Sequence, residues 1–236
     1  MRVRIGVVLP TFRRDAAAAL DAARACEAAG IHGVFAYDHL WPMGQPGRPA
    51  ISPYPLLGAV AASTSTIRIG TLVARVGLVP DDVLVGELLT LAELSGGRLI
   101  AAVGTGDHES APENAAYGVD FAPAAERRAR LEQVVARLSG AGVEVWVGGG
   151  APATSAVARR SGATVNLWGA LPSAVAVLAA EGATSWGGNL PADVGAASAL
   201  LVELRDAGAT WAVLSWPGST APILAAAGAA GLAVAP

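Results

Sequence analysis

Asp38 and His39 stand side by side where a short apolar run, Gly33 to Tyr37, gives out. A carboxylate there can accept a hydrogen bond from a ligand N–H or O–H. A neutral imidazole can take or give a proton near pH 7. A loop-capping Asp beside a solvated His accounts for the same two residues. Gly104-Thr105-Gly106-Asp107 joins close-approach glycines to a second carboxylate, which can act as acid, base or ring acceptor, or stand in water. Gly148-Gly149-Gly150 precedes a helical run that holds Thr154 and Ser155. Glycine lets backbone N–H groups approach a ligand, and a helix N-terminus attracts anions, so this stretch suits a phosphate. A flexible loop has the same composition. Trp168, Trp186 and Trp216 can line a slot for a flat ligand or pack as core. Thr11, Trp41, Arg75 and Asn166 lie at or just past the ends of β-rich runs. Cys26 reads as a small core residue, and His32, His108 and Glu109 as turn or loop residues.

The composition removes whole classes of chemistry. The 236 residues include no lysine; all 16 basic residues are Arg, against 19 acidic ones. A P-loop nucleotidase and a protein kinase each need a Lys on the phosphates. Schiff-base aldolases and pyridoxal-phosphate enzymes need an amine nucleophile. One cysteine allows no intrachain disulfide and no Cys-cluster metal site, and the three His residues form no His-x-His or His-Glu-x-x-His pattern, so no metal is expected. A mildly acidic chain without a basic run argues against nucleic acid. Met1-Arg2-Val3-Arg4 leads into a strand pattern, not a signal peptide. The apolar tail from Ala221 is too short and too weakly apolar to span a bilayer. The expectation is a soluble cytoplasmic protein acting on a small molecule, with no membrane partner.

Positioning these residues requires a particular scaffold. Short β-branched runs alternate with Ala/Leu-rich helical runs along the chain. Strands are predicted at 3–9, 33–37, 67–73, 98–104, 143–147, 163–168, 183–186 and 211–216. Helices follow them, among them 53–63 and one opened by Asp81 and Asp82, whose charges suit the helix dipole. In 124–138 the apolar Leu131, Val134, Val135 and Leu138 fall on one helical face. Asp15 is the expected cap of the first helix and Gly30 its stop. Eight βα units at this length predict an α/β fold, a (β/α)₈ TIM barrel, as a single domain over 1–236. No G-x-G-x-x-G follows strand one, which runs into Pro10-Thr11-Phe12, so an open dinucleotide-binding sheet is disfavoured. Residues 107–123 read as a surface excursion. In a βα barrel the site lies where strands end, and the acids, imidazoles, glycines and indoles collect there.

In order along the chain, Phe35-Ala36-Tyr37-Asp38-His39-Leu40-Trp41, Thr64-Ser65-Thr66-Ile67-Arg68-Ile69-Gly70-Thr71, Leu94-Ser95-Gly96-Gly97-Arg98-Leu99, Val103 to Asp107, Asn166-Leu167-Trp168-Gly169 and Leu214 to Gly218 resemble the bacterial-luciferase-like superfamily. The branch they look most like uses the deazaflavin coenzyme F-420. The resemblance implies a flavin-type ring in the barrel mouth, backed by a non-prolyl cis peptide at Leu72–Val73. Carried over, Asp38 binds the ring's polar edge and His39 serves as proton donor or acceptor. Asp107 stands where Glu is frequent in sugar-phosphate dehydrogenases of the branch, one methylene shorter. Thr105, Gly106, Asn166 and Trp168 join the cofactor site, and Gly148, Gly149, Gly150 and Thr154 hold its phosphate. Thr11, Trp41, Arg75, Trp186 and Trp216 form the substrate pocket. The implied activity is hydride transfer between F-420 and a small organic substrate, in a homodimer. FMN-dependent monooxygenation on the same scaffold and a non-catalytic flavin-binding barrel are the alternatives. The long insertion common after strand seven is missing, which predicts a more open site, or one closed by residues 107–123 or a neighbouring subunit. Without lysine, Arg75 is the rim cation expected to meet a phosphate or carboxylate.

Overall fold

Side chains leave a strand alternately to its two faces, and in this chain both faces are apolar, as in a parallel sheet buried on both sides. The structure is a computed structural model that describes residues 3–232 and residue 234. Among the described residues there are nine strand segments: β1 (Arg4–Val8), β2 (Gly33–Ala36), β3 (Arg68–Thr71), β4 (Ala74–Arg75), β5 (Leu99–Gly104), β6 (Glu144–Gly148), β7 (Thr164–Trp168), β8 (Thr184–Gly188) and β9 (Trp211–Ser215). All pair in parallel, β1 with β2 and β9, and onward to β5. Pairing of β3 with β5 closes the ring, so β3 and β4 together make one barrel strand and the sheet is an eight-stranded (β/α)₈ barrel. The sequence predicted one unbroken run at 67–73. Instead the strand breaks at Leu72–Val73, whose peptide bond is cis.

Helices α1 (Ala17–Ala28), α2 (Pro53–Ser63), α3 (Asp81–Leu94), α5 (Ala124–Gly140), α6 (Pro152–Ser161), α7 (Pro172–Ala179), α8 (Val194–Asp206) and α9 (Ala221–Ala229) cover the outside. The cap of α1 falls on Ala16, one residue later than predicted, although Asp15 still accepts from the Ala17 N–H at 2.8 Å. The excursion at 107–123 holds a 3₁₀ turn, His108–Ser110, and a six-residue helix, α4 (Ala111–Ala116). Residues 189–193 alone separate β8 from α8, so no insertion follows the seventh barrel strand. Among the described residues no helix is long and apolar enough to cross a membrane.

Two apolar layers result. Outward residues such as Ile5, Val34, Ile69, Ala101, Val147 and Val165 pack against the helices, with Cys26 of α1 among them. Burial pushes the Cys26 thiol up to about 12, so it is inert packing. Inward residues form a separate cluster of Val8, Phe35, Leu72, Ile100, Ala102, Trp146, Trp211 and Val213. Phe35 stacks on Trp146 at 5.2 Å, and Trp211 meets both rings edge-on. Gly6 and Gly70 admit Phe35: a Cβ on either would lie 2.8 Å from its ring. The aromatic trio plugs the barrel and forms the floor below the rim. Beneath it, Arg68 pairs with Glu144 at 2.6 Å, and Trp146 donates its indole N–H to the same carboxylate.

Candidate active site at the barrel mouth

The inward-facing residues above the aromatic floor belong to the strand ends. Val73, just past the break, fills the space left by two glycines: a Cβ on Gly104 or Gly148 would sit 2.6 Å from its methyl groups. Phe12 stacks on Tyr37 at 5.2 Å and 11°. Tyr37 meets the His39 ring edge-on at 6.2 Å and reaches across to Trp168 at 5.7 Å. Trp168 leans over Gly187, where a Cβ would lie 2.6 Å from its ring, and it is 49% exposed. It is therefore a mouth wall with room to turn. Burial pushes the Tyr37 phenol up to about 12, against a hydrogen bond with Ser215 that lowers it.

The centre of the site is a buried charge network. Asp38 is 6% exposed and accepts from the Arg75 backbone N–H at 3.0 Å and the Tyr54 hydroxyl at 3.3 Å. Its carbonyl oxygen accepts from Arg75 Nε at 3.2 Å. Asp38 thus ties the end of β2 to β4. Burial raises its pKa, and the Arg75 N–H, the nearby cations and Tyr54 offset that only in part. The Arg75 side chain is 4% exposed, and its Nη2 lies 2.8 Å from Glu113 Oε2. That contact is close but poorly aligned, so neither terminal nitrogen of Arg75 makes a well-formed hydrogen bond to a described group.

Glu113, on α4, carries the other half of the network. His39 Nδ1 lies 3.0 Å from its Oε2, while Oε1 accepts from the Leu40 and Trp41 N–H groups at 3.0 and 3.4 Å. Burial alone would raise the Glu113 pKa. The His39 contact, the charges of His39 and Arg75 and the Trp41 N–H together hold it below the ordinary glutamate range. No motif or spacing marks this residue. It sits in a polar excursion with no periodicity, and only the chain's return path brings it beneath His39.

Other predicted site residues fall elsewhere. Asp107 is exposed and caps the 3₁₀ turn, accepting from Glu109 N–H at 3.0 Å. Gly106, at φ 63°, makes that turn. Thr105 is pinned by Arg127, whose Nε donates to its carbonyl at 3.0 Å. Arg75, expected to meet an external anion, is occupied by Glu113. Trp186 faces outward, buried, donating to the Ala170 carbonyl at 2.8 Å, and Trp216 packs on the same outer layer. The two-residue period explains both, because Ser185, Gly187 and Ser215 take the inward positions. Asn166 faces inward and is held by Ser185 at 3.0 Å. Trp41 borders the network through its backbone. Thr11 is buried, and its hydroxyl has no partner among the described residues.

The glycine cradle is half used. Gly149, at φ 122°, donates to the Asn166 carbonyl, and its own carbonyl accepts from the Ser155 hydroxyl. Pro152 opens α6 and brings no N–H, and Thr154 N–H is spent on Ala151. Gly149 and Gly150 are both exposed, and it is the Gly150 N–H that is left open to a ligand. Gly150 and Ser155 also edge a cleft of about 720 Å³ between α6 and α7, walled by Leu167, Ala174 and Val177.

The barrel thus brings an acid-paired imidazole to an aromatic mouth, an arrangement able to move a proton at a strand-end site. Residues 3–141 match the luciferase-like monooxygenase family, and the chain belongs to it. A coenzyme F-420-dependent glucose-6-phosphate dehydrogenase of Beutenbergia cavernae is 34% identical over 123 residues, 52% of this chain and 34% of that protein. The match thus spans about a third of the curated relative's length. An F-420-dependent secondary alcohol dehydrogenase bound to an F-420–acetone adduct superposes with a TM-score of 0.77 at 13% identity, covering 99% of this chain and 98% of its own. A riboflavin lyase with modified FMN and riboflavin gives 0.74 at 14%, covering 100% and 94%. At these identities the likeness is one of fold.

Proposed function

We propose that the protein is an oxidoreductase dependent on coenzyme F-420, passing a hydride between this deazaflavin and a small organic substrate. The observation that carries the reading is His39, held by Glu113 at the rim of an aromatic mouth backed by Val73. The residues present fit a flat ring with polar edges. Val73 offers an apolar backing, Phe12, Tyr37 and Trp168 offer faces, and Thr11 and Asn166 are polar groups at the mouth. Bound there, the deazaflavin supplies two-electron hydride chemistry. The chain's part is to orient the ring, to exclude water and to move a proton at His39. The Gly150 N–H and the Thr154 hydroxyl would meet the phosphate tail, with Arg159 and Arg160 already engaged by Leu178, Ala183 and Glu132. Asp38 acts indirectly, by holding Arg75.

The names of the curated relatives support the F-420 assignment and make a sugar phosphate the first substrate to screen. Fluorescence titration with F-420 and FMN tests it. Binding of F-420 at micromolar or lower concentration supports the reading; FMN binding without F-420 binding overturns it in favour of the monooxygenase alternative. We further place the protein, as one domain, in the cytoplasm as a homodimer. The exposed face of α2 is built from Pro55, Ala59 and Ala62, small enough for close packing against a second copy. Light scattering on a sizing column checks the oligomer, and a monomer at all concentrations removes it.

A further inference from the structure

We infer that Glu113, and not Asp107, is the carboxylate that works with His39: it fixes the imidazole proton on Nδ1 and leaves Nε2 as the atom that exchanges a proton at the mouth. The inference rests on the reading of the mouth as a hydride-transfer site, and it names a positioning residue for that chemistry.

Three acids are candidates for the partner of His39. Asp107 is exposed and committed to the 3₁₀ turn. Asp38 is committed to the Arg75 N–H and Tyr54. Glu113 alone of the three touches the imidazole, at 3.0 Å. A carboxylate can only accept, so the hydrogen in that contact belongs to Nδ1. The opposite ring nitrogen then keeps its lone pair. Glu113 cannot swing away, because Leu40 N–H and Trp41 N–H hold one oxygen while His39 and Arg75 hold the other. The same contacts clamp the loop that follows His39, so ring position and tautomer are fixed by one side chain. Were a substrate hydroxyl oxidised here, its proton would pass to Nε2 while a bound deazaflavin would take the hydride from carbon; in the reverse direction Nε2 would return the proton. Glu113 stays ionised throughout and stabilises the imidazolium. Among the described residues, the charged and titratable groups of this network are Glu113 of α4, Asp38 and Tyr37 of the β2 end, Arg75 of β4, which pairs with Glu113, and Tyr117 just beyond α4, which feels Asp38, Arg75 and Glu113.

The test uses ¹⁵N-histidine-labelled protein without cofactor, followed by NMR across neutral pH. Three histidines make assignment simple, and His39→Asn identifies the signal. Wild type is expected to show His39 protonated on Nδ1 and bare at Nε2. E113Q keeps a carbonyl acceptor without the charge, and the Nδ1–H tautomer should persist in it. Because that variant strands the buried Arg75, E113L/R75M removes acceptor and cation together, and His39 should relax to the Nε2–H tautomer. An Nε2–H signal in wild type, or an Nδ1–H signal surviving in E113L/R75M, overturns the inference. F-420 binding is measured separately. Loss of F-420 binding with the tautomer as expected removes the proposed function and leaves the dyad, whereas F-420 binding with the wrong tautomer removes the dyad alone.

Discussion

Two carboxylates six positions apart have opposite fates, and burial decides which. Asp107 satisfies backbone donors at the surface, so its loss is a capping loss. Asp107→Ala is expected to lower stability by about 1 kcal/mol in urea unfolding and to leave the His39 tautomer unchanged. Glu113 is buried and pinned by two N–H groups, an imidazole and a guanidinium. Its depressed pKa in the folded state adds stability that is fully present above the ordinary glutamate range and is lost as pH falls through the folded value. Asp38 works in the opposite sense: its raised pKa means that the folded state takes up that proton first, and acid relieves a buried charge. The gap in urea midpoint between wild type and Glu113→Gln should therefore be widest near neutral pH and close in acid. A gap that stays constant down to pH 3 would show that Glu113 is not held ionised by its neighbours.

Between strands and helices, the motifs readable in the sequence turn out to be fasteners. Arg98, from Leu-Ser-Gly-Gly-Arg, donates five hydrogen bonds, to the carbonyls of Ala61, Thr64, Ser95 and Ile67 and to the Thr64 hydroxyl. It closes the C-terminal end of α2 and locks the turn into β3. Glu27 does the same from α1, accepting at one oxygen from the N–H groups of Ser65, Thr66 and Ile67 and from the Thr66 hydroxyl. Arg98→Met is expected to cost about 2–4 kcal/mol of stability, read as a urea midpoint, with F-420 affinity per folded molecule retained. Such elements were readable because period and punctuation are local: α2 at 53–63 falls on its predicted bounds, and strand ends lie within a residue or two. The break at Leu72–Val73 came only through the family resemblance, since the run itself reads as one strand. Trp186 and Trp216 were misplaced because residue type says nothing about which face of a strand a side chain leaves. Glu113 was missed because its burial depends on where a polar loop returns, which no spacing records.

The whole barrel works as a rigid stand for its mouth, and the glycines report how rigid. The interior trio of Phe35, Trp146 and Trp211 fits only because Gly6, Gly33 and Gly70 present no side chain inward. A Cβ on Gly70 would lie 2.6 Å from the Ile100 carbonyl oxygen and 2.8 Å from Phe35. The oxygen belongs to a neighbouring strand and cannot step aside without moving the ladder. Gly58, inside α2, is the converse case: a Cβ there meets only Leu91 Cδ2, at 3.9 Å. The same substitution should then have opposite signs. Gly70→Ala forces the floor apart and is expected to cost about 1–3 kcal/mol, as overpacking does. Gly58→Ala removes backbone freedom from the unfolded chain at no steric cost and should add about 0.5–1 kcal/mol. Urea midpoints of the two variants decide it. If Gly70→Ala were as stable as wild type, the interior would have slack. The aromatic plug could then not hold Val73, Tyr37 and His39 at fixed separations, and the geometry argued for proton transfer at the mouth would lose its support.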